Sequence, residues 1–237
     1  MKKLIAFVLI CFTILCFGCN KTKVIKAKTF DGWTTVKMNN EIEFQIPPTM
    51  EIENDKYASI GKKAEPGLYK LIHVPDGNII TAQQLGLNSM SKEAFKHYVR
   101  AIMVIIDSPE ELPAFGEPLK FTNEELKELE DEFRQDFYAY AEKFKAADRQ
   151  HRGFFLVGVT SPYKVVKING VDCLHFSYTT QLGDNPFVSN DIYLFMNKKK
   201  AYKLSIMIRT TENHLWTAKG MNVLDIPQTV QLIDKNK

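Results

Sequence analysis

The chain has 237 residues, 45% of them apolar and 25% charged, with 31 Lys and Arg against 28 Asp and Glu. These proportions are those of an ordinary globular protein and exclude a disordered chain, a multi-span membrane protein and a collagen-like or coiled-coil repeat. Its 4 cysteines, three of them within the first 19 residues, also exclude a disulfide-stapled miniprotein.

The first predicted element is an export signal. Lys2 and Lys3 precede the apolar run Leu4 to Phe17, broken only by Thr13, which gives the basic and apolar regions such a signal needs. Fourteen helical residues cover roughly 21 Å, short of the roughly 30 Å of a bilayer core, so the run reads as a removable signal and not a permanent span. It ends at Leu15-Cys16-Phe17-Gly18-Cys19. That ending resembles a bacterial lipoprotein signal, which implies cleavage after Gly18 and acylation of Cys19. The alternative is an ordinary secretory signal cut after Gly18 that leaves Cys19 as a free or disulfide-bonded thiol.

Removing residues 1–18 leaves 29 basic against 28 acidic residues, so net charge selects no partner. Lys21, Lys23, Lys26 and Lys28 nevertheless concentrate positive charge just after Cys19. A tether over residues 19–30 of this kind suits an anionic bilayer, at about 1 kcal/mol per basic residue close to the surface, and equally suits a solvated linker. The remaining body has no basic surplus, which argues against nucleic acid as a partner.

Residues 31–237 are expected to form one α+β domain. Trp33 to Met38 and Glu41 to Ile46 flank Asn39-Asn40, a hairpin pattern with one wet face, stopped by Pro47-Pro48. A strand is predicted over Leu68 to Val74, before the turn Pro75-Asp76-Gly77-Asn78. A helix is predicted from a Ser91 cap, with Phe95, Tyr98, Val99, Ile102, Met103 and Ile106 on one face. A second helix follows the capping box Thr122-x-x-Glu125, with Leu126, Leu129, Phe133, Phe137, Tyr140 and Phe144 as its apolar stripe. It lies in a helical insertion expected around residues 107–150.

The C-terminal third returns to strands: 154–160 and 164–168, the turn Asn169-Gly170, then 171–181, 191–196 and 201–210. A short helix over Glu212 to Lys219 and a last one capped by Asp225 complete the chain. Strands, helices, strands and helix in that order predict a mainly antiparallel sheet with helices packed on it.

The opening strand after Gly32-Trp33-Thr34-Thr35, the ending Phe44-Gln45-Ile46-Pro47-Pro48, the Ile168-Asn169-Gly170-Val171 turn, residues 191–195 and the strand Ala201 to Ile206 carry a family resemblance. Together they resemble the PsbP-like and DcrB-like families. The resemblance implies an α/β/α sandwich around an antiparallel sheet and, in bacteria, an envelope lipoprotein without established chemistry.

Motifs for a nucleophile elbow, a zinc-binding His-Glu-x-x-His helix, a phosphate-cradling loop, a dinucleotide fold and an EF-hand are all absent from the sequence. Cys173 and His175 are the one weak candidate pair: two residues apart on a strand, they share a face, and an imidazole beside a thiol can generate a nucleophile. The competing reading makes both packing residues, with the alternation Leu174, Phe176 and Tyr178 placing the main core on the other face. His73, His97, His151, His175 and His214 have no ligand spacing, so no metal or cofactor is expected. The expected function is a non-catalytic binding or accessory domain of a membrane-anchored, exported envelope lipoprotein, with an outer-membrane destination open because Asn20 follows Cys19. The alternative is an exported hydrolase or thiol enzyme with a dispersed site.

Overall fold

The structure, a computed structural model, describes residues 27–64, 67 and 78–233. The export signal, Cys19 and the strand expected over Leu68 to Val74 lie outside the described residues.

The chain first forms a hairpin of β1 (Thr34–Met38) and β2 (Ile42–Ile46). Asn39 and Asn40 turn it with φ of 50° and 51°, the paired positive values that a two-residue connection requires and that asparagine tolerates. Next come β3 (Met50–Ile52), helix α1 (Asp55–Ala64), β4 (Ile79–Gln84) and β5 (Val99–Asp107). Helix α2 (Asn123–Ala147) opens on the predicted capping box: the Glu125 amide donates to Thr122 Oγ1, and the Thr122 amide donates to the Glu125 carboxylate. Four long strands follow, β6 (Phe154–Ile168), β7 (Val171–Leu182), β8 (Val188–Asn197) and β9 (Lys200–Arg209). The β6–β7 turn is Asn169-Gly170, where Gly170 sits at φ 85°. Short helical turns, α3 (Asn213–Trp216) and a 3₁₀ segment Val223–Thr229, lead to β10 (Gln231–Leu232).

Seven strands make one antiparallel sheet in the order β3-β4-β5-β9-β8-β7-β6, and β1-β2-β10 make a small second sheet. The large sheet is covered on both faces. On one face Tyr163, Leu174, Phe176, Ile192 and Leu194 pack beneath Leu126, Leu129 and Phe133 of α2. On the other, Cys173, Phe195, Leu204 and Ile206 meet Met38, Ile42 and Phe44 of the small sheet and Val223 and Ile226 of the 3₁₀ segment. The fold is therefore α+β, mainly antiparallel, with helices packed on the sheet, as its order of elements predicts.

Two expectations are corrected. The helix predicted over residues 91–106 is instead a single 3₁₀ turn at Ala94–Lys96 followed by strand β5. Val99, Ala101, Met103 and Ile105 are buried on one side of β5, while Val104 on the other side is buried too. A strand covered on both faces reads as a continuous apolar run, in which a 3.6-residue period can be found by coincidence. The last helix is a 3₁₀ segment capped by Asn222, whose side chain accepts from the Leu224 amide, and not by Asp225.

Candidate functional site

Cys173 and His175 do share one face of β7, and the pairing of β7 with β8 adds what lies beside them. His175 faces Tyr193 and Ser177 faces Asp191 across the strands. His175 Nε2 lies 3.3 Å from Asp191 Oδ1, its ring is 4.7 Å from that of Tyr193, and its Nδ1 is buried with no hydrogen-bond partner. The result is an imidazole held between a partly exposed carboxylate and an aromatic ring at the margin of the larger core.

A histidine oriented by a carboxylate can act as a general base when a nucleophile is presented to it. The hydroxyl nearest in sequence, Ser177, is buried and hydrogen-bonded to Thr160 Oγ1 at 2.8 Å. Cys173 belongs to the larger core, fully shielded from solvent. Burial first, then the Asp172 charge, push its thiol up to about 12, so a negligible fraction is thiolate near neutrality. The larger core therefore lies on the Cys173 face and not on that of Leu174 and Phe176, where the alternation places it; β7 is covered on both sides, so alternation alone does not tell which core is larger. The arrangement orients an imidazole beside a carboxylate, while Cys173 and Ser177 are both taken up in packing and hydrogen bonding.

A second cluster, unsignalled in the sequence, gathers at the far end of β9. Buried Glu212 accepts from the Tyr98 amide at 2.9 Å, from Arg209 Nη1 at 2.6 Å and from Trp216 Nε1 at 3.4 Å. Burial raises its carboxyl, but these donors outweigh burial and hold it below the usual range. His97 lies between Glu212 and Glu93, 3.7 Å from each. The donors all come from the chain itself, so the cluster ties β5, β9 and α3 together. On the sheet face opposite the larger core, Lys203 has Val104 and Leu194 as cross-strand neighbours, and burial pushes its ammonium down.

No group of three or more metal-ligating side chains occurs among the described residues. His97, His151, His175 and His214 fall on separate elements, and His73 lies outside the described residues. The aromatic stripe of α2 is turned inward: Phe137 and Phe144 are buried, and Phe154 of β6 lies 5.1 Å and 5.2 Å from them. No described helix is long and apolar enough to cross a membrane.

No family model matches the chain, and no curated protein matches it in sequence. Among solved structures it is similar to the solution structure of cyanobacterial PsbP (CyanoP) from Synechocystis sp. PCC 6803, at 10% identity and a TM-score of 0.44, over 91% of this chain and 98% of that one. It is also similar to a crystal structure from Bacteroides thetaiotaomicron VPI-5482, at 6% identity and a TM-score of 0.39. That alignment covers 83% of this chain, which spans 46% of the other. Neither likeness assigns an activity.

Proposed function

We propose that the protein is exported, is held at a cell-envelope membrane by a lipid on Cys19, and uses its domain as a binding or accessory module without catalysis of its own. The observation that carries this reading is the N-terminal sequence: two lysines, an apolar run too short to span, and Gly18-Cys19 followed by a basic stretch. Two features of the domain support the non-catalytic half. Cys173 is sealed in the core, and Ser177, on the same strand as the histidine beside Asp191, is buried and bonded to Thr160. The resemblance to PsbP-like and DcrB-like proteins belongs to the same reading.

Separation of cells into soluble and membrane fractions tests it. The mature chain is expected to pellet with membranes, to resist high salt and carbonate, and to dissolve only in detergent. Release by salt alone would contradict a lipid anchor.

The His175 to Asp191 contact favours a second reading, an exported hydrolase whose nucleophile is a bound water. An activity found for the protein that disappears in both His175→Ala and Asp191→Asn, with folding unchanged, would select it.

A further inference from the structure

Segment 213–228 alternates between core and surface. Trp216, Val223 and Ile226 are buried in the larger core, whereas Leu215, Met221 and Leu224 are 41%, 38% and 38% exposed. Three large apolar side chains within ten residues are thus turned to solvent beside Lys219, which is also exposed.

The N-terminal chain joins the domain against this segment. The Lys28 amide donates to the Gln228 carbonyl at 3.0 Å, Trp33 Nε1 donates to the Gly220 carbonyl at 3.0 Å, and Phe30 stacks on Trp33 at 4.6 Å. Seven residues lie between Cys19 and Ala27, eight Cα–Cα steps with a reach of about 28 Å when fully extended. A domain of this size is about 40 Å across, so so short a tether keeps the side it enters turned toward its anchor. Within residues 27–33 and 213–228, Lys28 and Lys219 balance Asp31 and Asp225, and Gln228 Nε2 already holds Asp225 at 2.8 Å. Lys21, Lys23 and Lys26 belong to the stretch of sequence between Cys19 and this junction and add positive charge to the tether.

We propose that the occupant of this surface is the bilayer itself: Leu215, Met221 and Leu224 rest at the headgroup boundary, with the basic tether alongside, so that the domain is oriented as well as anchored. Shallow apolar burial together with attraction to anionic lipid is the combination that fixes peripheral proteins on a membrane. The inference rests on the lipid anchor at Cys19. It names the surface that the anchor brings down.

A position on the opposite layer supplies the control. Tyr138 of α2 is 58% exposed. Helix α2 covers the face of the large sheet opposite the larger core, in which Trp216, Val223 and Ile226 are buried.

The test uses the variants Leu215→Cys, Met221→Cys, Leu224→Cys and Tyr138→Cys of the full chain, in membranes from the expressing cells. Each carries a protease site between Lys23 and Val24, so that the same molecule is read anchored and then released. Cys173 is buried and does not compete for the label. A membrane-impermeant maleimide is expected to react about 5-fold or more slowly with the three patch variants while anchored than after release, with no change at Tyr138→Cys. Equal rates before and after release at the three patch positions would overturn the inference, as would slowing at Tyr138→Cys alone. A chain that never enters the membrane fraction instead overturns the anchor, and this inference with it, which separates the two failures.

Discussion

Labelling of Cys173 separates a packed thiol from a reactive one. With the thiol pushed up from 9.0 to about 12, the thiolate fraction at pH 8 falls from about one tenth to about 10⁻⁴. Ionisation alone therefore slows reaction about a thousandfold relative to the unfolded chain, before steric exclusion is added. The assay is a chromogenic disulfide reagent at pH 8 on a chain with Cys11, Cys16 and Cys19 replaced by serine, in native buffer and in guanidinium. Native labelling at least a thousandfold slower than denatured labelling is expected. Stoichiometric labelling of the folded chain at the rate of a free thiol would refute the reasoning and restore Cys173 as a nucleophile.

Leu204→Ala empties a fully buried position in the larger core and is expected to cost about 3 kcal/mol, a fall in Tm of about 7 °C for a domain of this size, measured by calorimetry. Leu215→Ala, on the exposed segment, is expected to change stability by less than about 0.5 kcal/mol in detergent-solubilised protein. Thr122→Ala removes the acceptor of the Glu125 amide and is expected to cost about 1 kcal/mol in denaturant unfolding, with Thr122→Ser restoring most of it. The side-chain hydrogen bond from Arg152, helped by the Arg152 and Gln150 amides, holds the Asp148 carboxyl at about 2, below its ordinary 3.8. Because the folded value is the lower one, the stabilisation is complete above about pH 4 and is lost as pH falls toward 2; carboxyl NMR of Asp148 checks it, and a midpoint near 4 would contradict it.

The parts of the fold readable in the sequence are those with local causes. Asn39-Asn40 and Asn169-Gly170 adopt at little cost the positive φ that a tight turn needs, so both hairpins follow from the residues at their turns. Thr122 and Glu125 satisfy each other's orphan amides within one turn, so the start of α2 is equally local. Strand β5 escapes because its apolar residues serve two faces, one set by the small sheet and one by the opposite layer, and neither is encoded nearby. The polar partners escape for a related reason. Asp191 meets His175 across 16 residues, through the register of β7 on β8, and Glu212 meets the Tyr98 amide across 114. Register is a property of the assembled sheet.

The lipid on Cys19 is the claim from which the membrane reading and the orientation of the domain both follow. Intact mass of the N-terminal peptide, from cells expressing the native chain and Cys19→Ala, tests it directly. The account predicts a peptide beginning at Cys19 that carries acyl mass, absent from the variant. A peptide beginning at Cys19 at its unmodified mass would contradict it and make the protein a released one.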